Sequence, residues 1–161
     1  MEAAGTGTSS PELSSLLEAL LEGVDDEVAI LATTAALVYD ELDDLNWAGF
    51  YLLRNDRLVV GPYQGRPACI EIAIGRGVCG TAAARLETIV VPDVHAFDGH
   101  IACDARSRSE LVVPVVVSGA LVGVLDLDSP TPGRFDDDDA RTVEALVATV
   151  AQLLARAGAA T

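Results

Sequence analysis

Apolar residues recur along this chain at two different spacings, and the change from one to the other divides it into predicted elements. Leu13, Leu16, Leu17, Leu20 and Leu21 follow one another at helical intervals behind Ser10, Pro11 and Glu12, which supply an N-cap, a first-turn proline and an acidic first turn. This predicts a helix ending at Gly23. Asp25 caps a second, running to about Asp43, with Val28, Leu31, Ala35, Val38 and Leu42 on one stripe. From Trp47 the pattern becomes strand-like: WAGFYLL, a polar RNDR turn and LVVGPY read as a hairpin, and IEIAI as a further short strand. GRGVCG then leads into the alanine-rich TAAARLE, a short helix with Cys79 near its start, and TIVVPD is a strand stopped by Pro92.

Residues 93–109 have no convincing period, and a loop of that length in a compact domain is usually functional or disordered. Beyond it, ELVVPVVV and ALVGVLDLD flank Ser118-Gly119, a tight-hairpin signal. After a PTPGRF linker, Asp136 to Asp139 place negative charge at the start of a last helix bearing Val143, Leu146, Val147, Val150 and Leu154. Residues 1–9, small and polar, read as a mobile tail, and 10–158 as one domain. The order describes an α+β fold: a mainly antiparallel sheet of about six strands flanked by helices. The alternating pattern of a parallel doubly wound sheet is absent, and GRGVCG has the spacing of neither phosphate-binding glycine motif.

Composition narrows the partners. Of 161 residues, 25 are acidic and 10 basic, every basic one being arginine, for a net charge of −15 that repels phosphate backbones and anionic lipid. Neither nucleic acid nor a membrane is expected as a partner. No apolar run reaches bilayer length and the N-terminus has no secretory or transit pattern, so the expected compartment is the cytoplasm. The lysine-free acidic surface fits either a high-salt cytoplasm or a GC-rich genome.

Three cysteines remain to be explained. Cys69, Cys79 and Cys103 contain no CxxC pair, and no zinc spacing links Cys103 with His95 and His100, so no metal is expected. The two histidines are expected to hold the long loop by hydrogen bonds, and a protonated one would lower the pKa of Cys103. Cys79 near a helix N-terminus is expected to have a lowered pKa as well. Asp126 and Asp128, two apart on a strand, share a face, where they form either a cation-binding pair or a solvated strand end. Trp47 and Tyr51 read either as an aromatic pocket wall or as plain core.

In order along residues 46–130, NWAGFYLL, GPYQGRPAC, GRGVCGTAA, DVHAFDGHIACDARSRSE and GVLDLDSP resemble the signature blocks of the free methionine-R-sulfoxide reductases, a family built on a single GAF domain. The resemblance implies a GAF-like fold over 10–158 and thiol-dependent reduction of free L-methionine-R-sulfoxide. It assigns Cys103 as the nucleophile that becomes a sulfenic acid, and Cys69 as the resolving thiol. Cys79 is then either an alternative resolving thiol or a wall of the pocket. Glu110 is the acid that protonates the sulfoxide oxygen, Asp126 and Asp128 receive the ammonium group, and Trp47 and Tyr51 face the thioether. No cofactor is implied beyond an external thioredoxin-type dithiol, and a homodimer is expected by analogy with other GAF domains. The competing reading is a non-catalytic GAF module that senses a small ligand, for which three cysteines in these blocks have no use.

One geometric condition follows. If Ser118-Gly119 is a two-residue loop with unbroken pairing behind it, Glu110 stands opposite Leu127 and points away from Asp126 and Asp128. A shared pocket therefore demands an odd shift, such as a bulge near Pro114, a three-residue loop or Glu110 beyond the regular strand.

Overall fold

A computed structural model describes residues 9–159; the remainder of the expected tail lies outside the described residues. The elements in chain order are α1 (Ser10–Leu20), α2 (Glu27–Glu41), β1 (Trp47–Arg54), β2 (Arg57–Gly65), β3 (Glu71–Ala73), α3 (Gly77–Arg85), β4 (Ile89–Val91), β5 (Ser109–Val117), β6 (Ala120–Ser129) and α4 (Asp137–Ala159). A single 3-10 turn, Val94–Ala96, interrupts the long loop before β5. The helix caps sit one residue away from their expected positions. Ser9 caps α1 and takes its place in a reciprocal box with Glu12, whose carboxylate accepts the Ser9 backbone N–H at 2.8 Å. Asp26, not Asp25, caps α2 by accepting from the Ala29 N–H at 2.9 Å. Helix α3 begins inside the glycine-rich stretch, at Gly77, and so contains Cys79 in its first turn.

The six strands form one antiparallel sheet in the order β3-β2-β1-β6-β5-β4. Strand alternation sorts the side chains into two layers. Ala48, Phe50, Leu52, Leu111, Val113, Val115, Leu125 and Leu127 point to the face covered by α1, α2 and α4, whose Leu13, Leu17, Ile30, Leu31, Val143, Leu146 and Val150 complete that core. Trp47, Tyr51, Val112 and Val124 point to the other face, beneath α3 with its Cys79, Ala82 and Ala83. The short helix covers only part of this second face; Val94 and Phe97 of the loop before β5 and Ala68 and Cys69 of the segment between β2 and β3 also pack on it. No helix among the described residues is long and apolar enough to cross a membrane.

The β5–β6 hairpin meets the geometric condition. Ser118 and Gly119 both have positive φ, 51° and 81°, as a two-residue primed turn requires, and Val117 pairs with Ala120 across it. The register then shifts: Val116 faces Leu121, but Val115 faces Gly123, which leaves Val122 unopposed as a bulge residue on β6. Every pair beyond the bulge is displaced by one. Glu110 consequently stands opposite Asp128, and Val112 opposite Asp126. Gly123 is obligatory at this point, because a Cβ there would lie 2.2 Å from the Tyr51 carbonyl oxygen on β1.

Candidate functional site

The bulge brings Glu110, Asp126 and Asp128 onto the partly covered face of the sheet. They line one cavity together with Tyr51, Cys79 and Cys103. Trp47 does not line it directly. Its ring stacks behind Tyr51, with centroids 5.6 Å apart, and against Tyr63 at 5.1 Å, and its indole N–H donates to the Arg66 carbonyl. The Tyr51 hydroxyl donates to the Cys69 carbonyl at 3.0 Å, tying the aromatic pair to the segment between β2 and β3. Cys69 in that segment is disulfide-bonded to Cys103 in the loop before β5, with Cα atoms 5.2 Å apart. The free volume left in this state is about 30 Å³, room for roughly two water molecules.

Cys79 is buried from its place on α3, and its Sγ lies 3.8 Å from Glu110 Oε1. Here the expectation from the helix N-terminus is corrected. Burial, followed by the charges of Asp126, Glu110 and Asp128, raises the Cys79 pKa instead of lowering it. A dipole effect confined to a helix end is small beside complete desolvation among carboxylates. Burial raises the three acids as well. Burial and then Asp126 and Asp128 hold Glu110 well above its ordinary value, burial and Asp126 do so for Asp128, and burial raises Asp126. Burial therefore favours carboxyl protons in this cluster over the full negative charge of three free carboxylates. Burial, then the neighbouring carboxylates and Cys79, likewise hold the Tyr51 phenol neutral. His100, which also lines the cavity, is shifted downward by burial and by His95, which disfavours the protonated imidazole expected near Cys103.

The long loop is fastened chiefly through Asn46 and Asp104, neither of which the sequence reading singled out. Asn46, the residue before β1, donates from Nδ2 to Asp104 Oδ2 at 3.1 Å and to Ser107 Oγ at 3.0 Å, while its backbone N–H donates to the Asp128 carbonyl. Arg106 donates from Nη2 to Asp104 Oδ2 at 2.8 Å, and that bond is the largest reason the Asp104 pKa falls to about 2. Val94 and Arg108 add backbone bonds, the latter to the Ser129 carbonyl at the end of β6. Cys103 is thus anchored to the strands that carry the carboxylates. An asparagine just ahead of a buried strand was the available signal, but its partners lie 58 and 61 residues away. Gly77 has φ of +62°, which strains any residue with a side chain, and a Cβ there would lie 3.2 Å from Ile101, so α3 and the loop meet where glycine is favoured.

A curved antiparallel sheet with helices on one face and a loop-covered polar cavity on the other, holding a cysteine pair beside clustered acids, defines a redox-equipped GAF domain. The GAF domain family model matches residues 15–155. The free methionine-R-sulfoxide reductase of Escherichia coli is 53% identical over 144 residues, 89% of this chain and 87% of that one. The Saccharomyces cerevisiae protein of the same name is 41% identical, covering 80% and 76%. Among solved structures, the reductase of Neisseria meningitidis in complex with its substrate superposes with a TM-score of 0.93 at 39% identity, covering 100% and 97%. The chain belongs to the GAF family and, within it, to the free methionine-R-sulfoxide reductases.

Proposed function

We propose that the protein reduces free L-methionine-R-sulfoxide to methionine, with Cys103 as nucleophile, Cys69 as resolving thiol and Glu110 as proton donor. The observation that carries this reading is the Cys69–Cys103 bond at the wall of the cavity that contains the three raised carboxyls. The Cys103 thiolate attacks the sulfoxide sulfur while the Glu110 carboxyl, whose proton burial favours, hydrogen-bonds and protonates the sulfoxide oxygen. The sulfoxide sulfur–oxygen bond breaks as the oxygen passes to the Cys103 sulfur, so methionine leaves and Cys103 is left as a sulfenic acid. The Cys69 thiol displaces it, forming the disulfide and releasing water. Overall, one sulfoxide and two thiols give one thioether, one disulfide and one water. An external dithiol of the thioredoxin type restores the thiols. Asp126 and Asp128 hold the substrate ammonium, and Tyr51, backed by Trp47, faces the methyl-thioether end.

The roughly 30 Å³ left in the disulfide form is far too little for an amino acid. Substrate therefore enters the reduced form, in which Cys103 is free of Cys69. A cysteine pair that must be reduced again in every catalytic cycle supports a cytoplasmic enzyme, and GAF architecture supports a homodimer.

The test is thiol-dependent loss of free L-methionine-R-sulfoxide by the wild type, Cys103→Ser and Cys69→Ser. Cys103→Ser should abolish turnover, whereas Cys69→Ser should still release one methionine per chain in a single turnover, since resolution follows the first chemical step. A stoichiometric burst retained in Cys103→Ser and lost in Cys69→Ser would reverse the roles. Absence of any turnover by the wild type would favour the sensing-module reading.

A further inference from the structure

We propose that the floor of the cavity, formed by Cys79, Glu110 and Asp126, is a binding site for one soft divalent cation of the zinc class, and that the occupied site excludes substrate. One ligand atom from each of these residues lies within 4.8 Å of the other two, the one such group among the described residues. A tetrahedral zinc with bonds of about 2.3 Å to sulfur and about 2.0–2.2 Å to oxygen spaces its sulfur and oxygen ligands about 3.5 Å apart. Cys79 Sγ and Glu110 Oε1 are 3.8 Å apart, within a few tenths of an ångström of that spacing, and the Asp126 ligand atom lies within 4.8 Å of both.

A second observation points to a missing ligand. Asp126 is 5% exposed and lines the cavity; its carboxyl bonds to Glu110 and Cys79 within the group, and its Oδ1 is left buried without a partner. An unsatisfied buried carboxylate oxygen is costly, and a cation is what such an oxygen accepts. The roughly 30 Å³ of the cavity, room for about two water molecules, accommodates an ion with a water as a further ligand. Asp128, opposite Glu110 in the sheet, adds a further carboxyl at the cavity wall. A thiolate with two carboxylates selects zinc or cadmium over magnesium and calcium, which take oxygen ligands alone. Binding converts the Cys79 thiol to a metal thiolate and the Glu110 carboxyl to a carboxylate, releasing their protons to solvent with no change in oxidation state.

Binding is measured on the disulfide form, in which Cys79 is the free thiol and no sulfoxide is turned over, so its outcome is independent of the proposed reaction. Only the exclusion of substrate rests on that reaction. Cd²⁺ is titrated into the oxidised chain while the ultraviolet thiolate-to-cadmium absorption is followed. One Cd²⁺ per chain is expected, with the absorption lost in Cys79→Ser and binding weakened about tenfold or more in Asp126→Asn. The Asp126→Asn variant keeps the thiol and removes a buried charge, so it decides the matter even if Cys79→Ser does not fold. Absence of the absorption in the wild type, its persistence in Cys79→Ser, or unchanged affinity in Asp126→Asn overturns the site. With the reduced enzyme, Zn²⁺ should raise KM for the sulfoxide and leave kcat unchanged once substrate displaces it. An unchanged KM at Zn²⁺ concentrations that saturate the site overturns the exclusion of substrate.

Discussion

Replacing Glu110 by glutamine separates the chemical role of this side chain from its place in the fold. Glutamine keeps the volume and an acceptor oxygen for the Cys79 thiol, which now lies 3.8 Å from Glu110 Oε1, but has no acidic proton to give. General acid catalysis contributes about 10²–10⁴-fold, or about 3–5 kcal/mol of transition-state stabilisation, so kcat/KM should fall by that factor. Stability should move the other way. Glu110 is 6% exposed and held well above its ordinary value of 4.5. Below that value both folded and unfolded chains hold the proton. As pH rises through it the unfolded chain releases its proton while the folded chain keeps it, so stability falls until the folded-state pKa is passed. Each tenfold by which burial favours the protonated form costs about 1.4 kcal/mol at high pH. For a domain of this size each kcal/mol is worth about 2–4 °C in Tm. Thermal unfolding of the oxidised protein from about pH 4.5 to about pH 8 should therefore show a shallower loss of Tm in Glu110→Gln than in the wild type. Turnover within about threefold of wild type would remove Glu110 as the acid, because general acid catalysis is worth far more. An unchanged pH slope of Tm would show that its carboxyl is not held protonated by the fold.

Other perturbations test the binding groups and the scaffold. N-acetyl-methionine-R-sulfoxide should be a poor substrate, because acylation removes the ammonium group and leaves Asp126 and Asp128 unpaired. Rates comparable to the free amino acid would contradict that assignment. Asn46→Ala deletes the two side-chain bonds to Asp104 and Ser107, and should cost about 1–3 kcal/mol in unfolding free energy. It should also lower kcat more than it raises KM, since it loosens the Cys103 loop and not the substrate ligands; an unchanged kcat would show that the loop keeps its position without Asn46. Gly123→Ala forces a Cβ toward the Tyr51 carbonyl and should destabilise by about 2 kcal/mol or more, read as a shifted denaturation midpoint. Wild-type stability in that variant would show that the β1–β6 spacing gives way at the bulge.

Local features of the chain were legible without coordinates wherever the information was itself local. The leucine spacing of α1, the aspartates opening α4 and the Ser118-Gly119 turn each specify structure within a few residues, and all three stand as expected. Even there, the side of α1 that faces the core required the tertiary structure: Leu13 and Leu17 are fully buried, while Leu16 and Leu20 are partly exposed. The cysteine-bearing blocks identified the family, and the face shared by Asp126 and Asp128 follows from alternation alone. The requirement for an odd shift between Glu110 and these aspartates could be deduced from the chain, but not its form.

Only the packed sheet decides that Val122 bulges, because only there does the Tyr51 carbonyl on β1 demand a residue without a side chain at Gly123. Desolvation is equally non-local. The pKa of Cys79 reads as lowered from its helix end and stands raised once α3 closes over three carboxylates brought from β5 and β6. The pairing of Cys69 with Cys103, and the hold of Asn46 on the Cys103 loop, join segments 34 to 61 residues apart. The amino-acid sequence determined the elements and the chemical groups available. Which groups meet, and in what protonation state, depends on register and burial, which arise when distant strands pack.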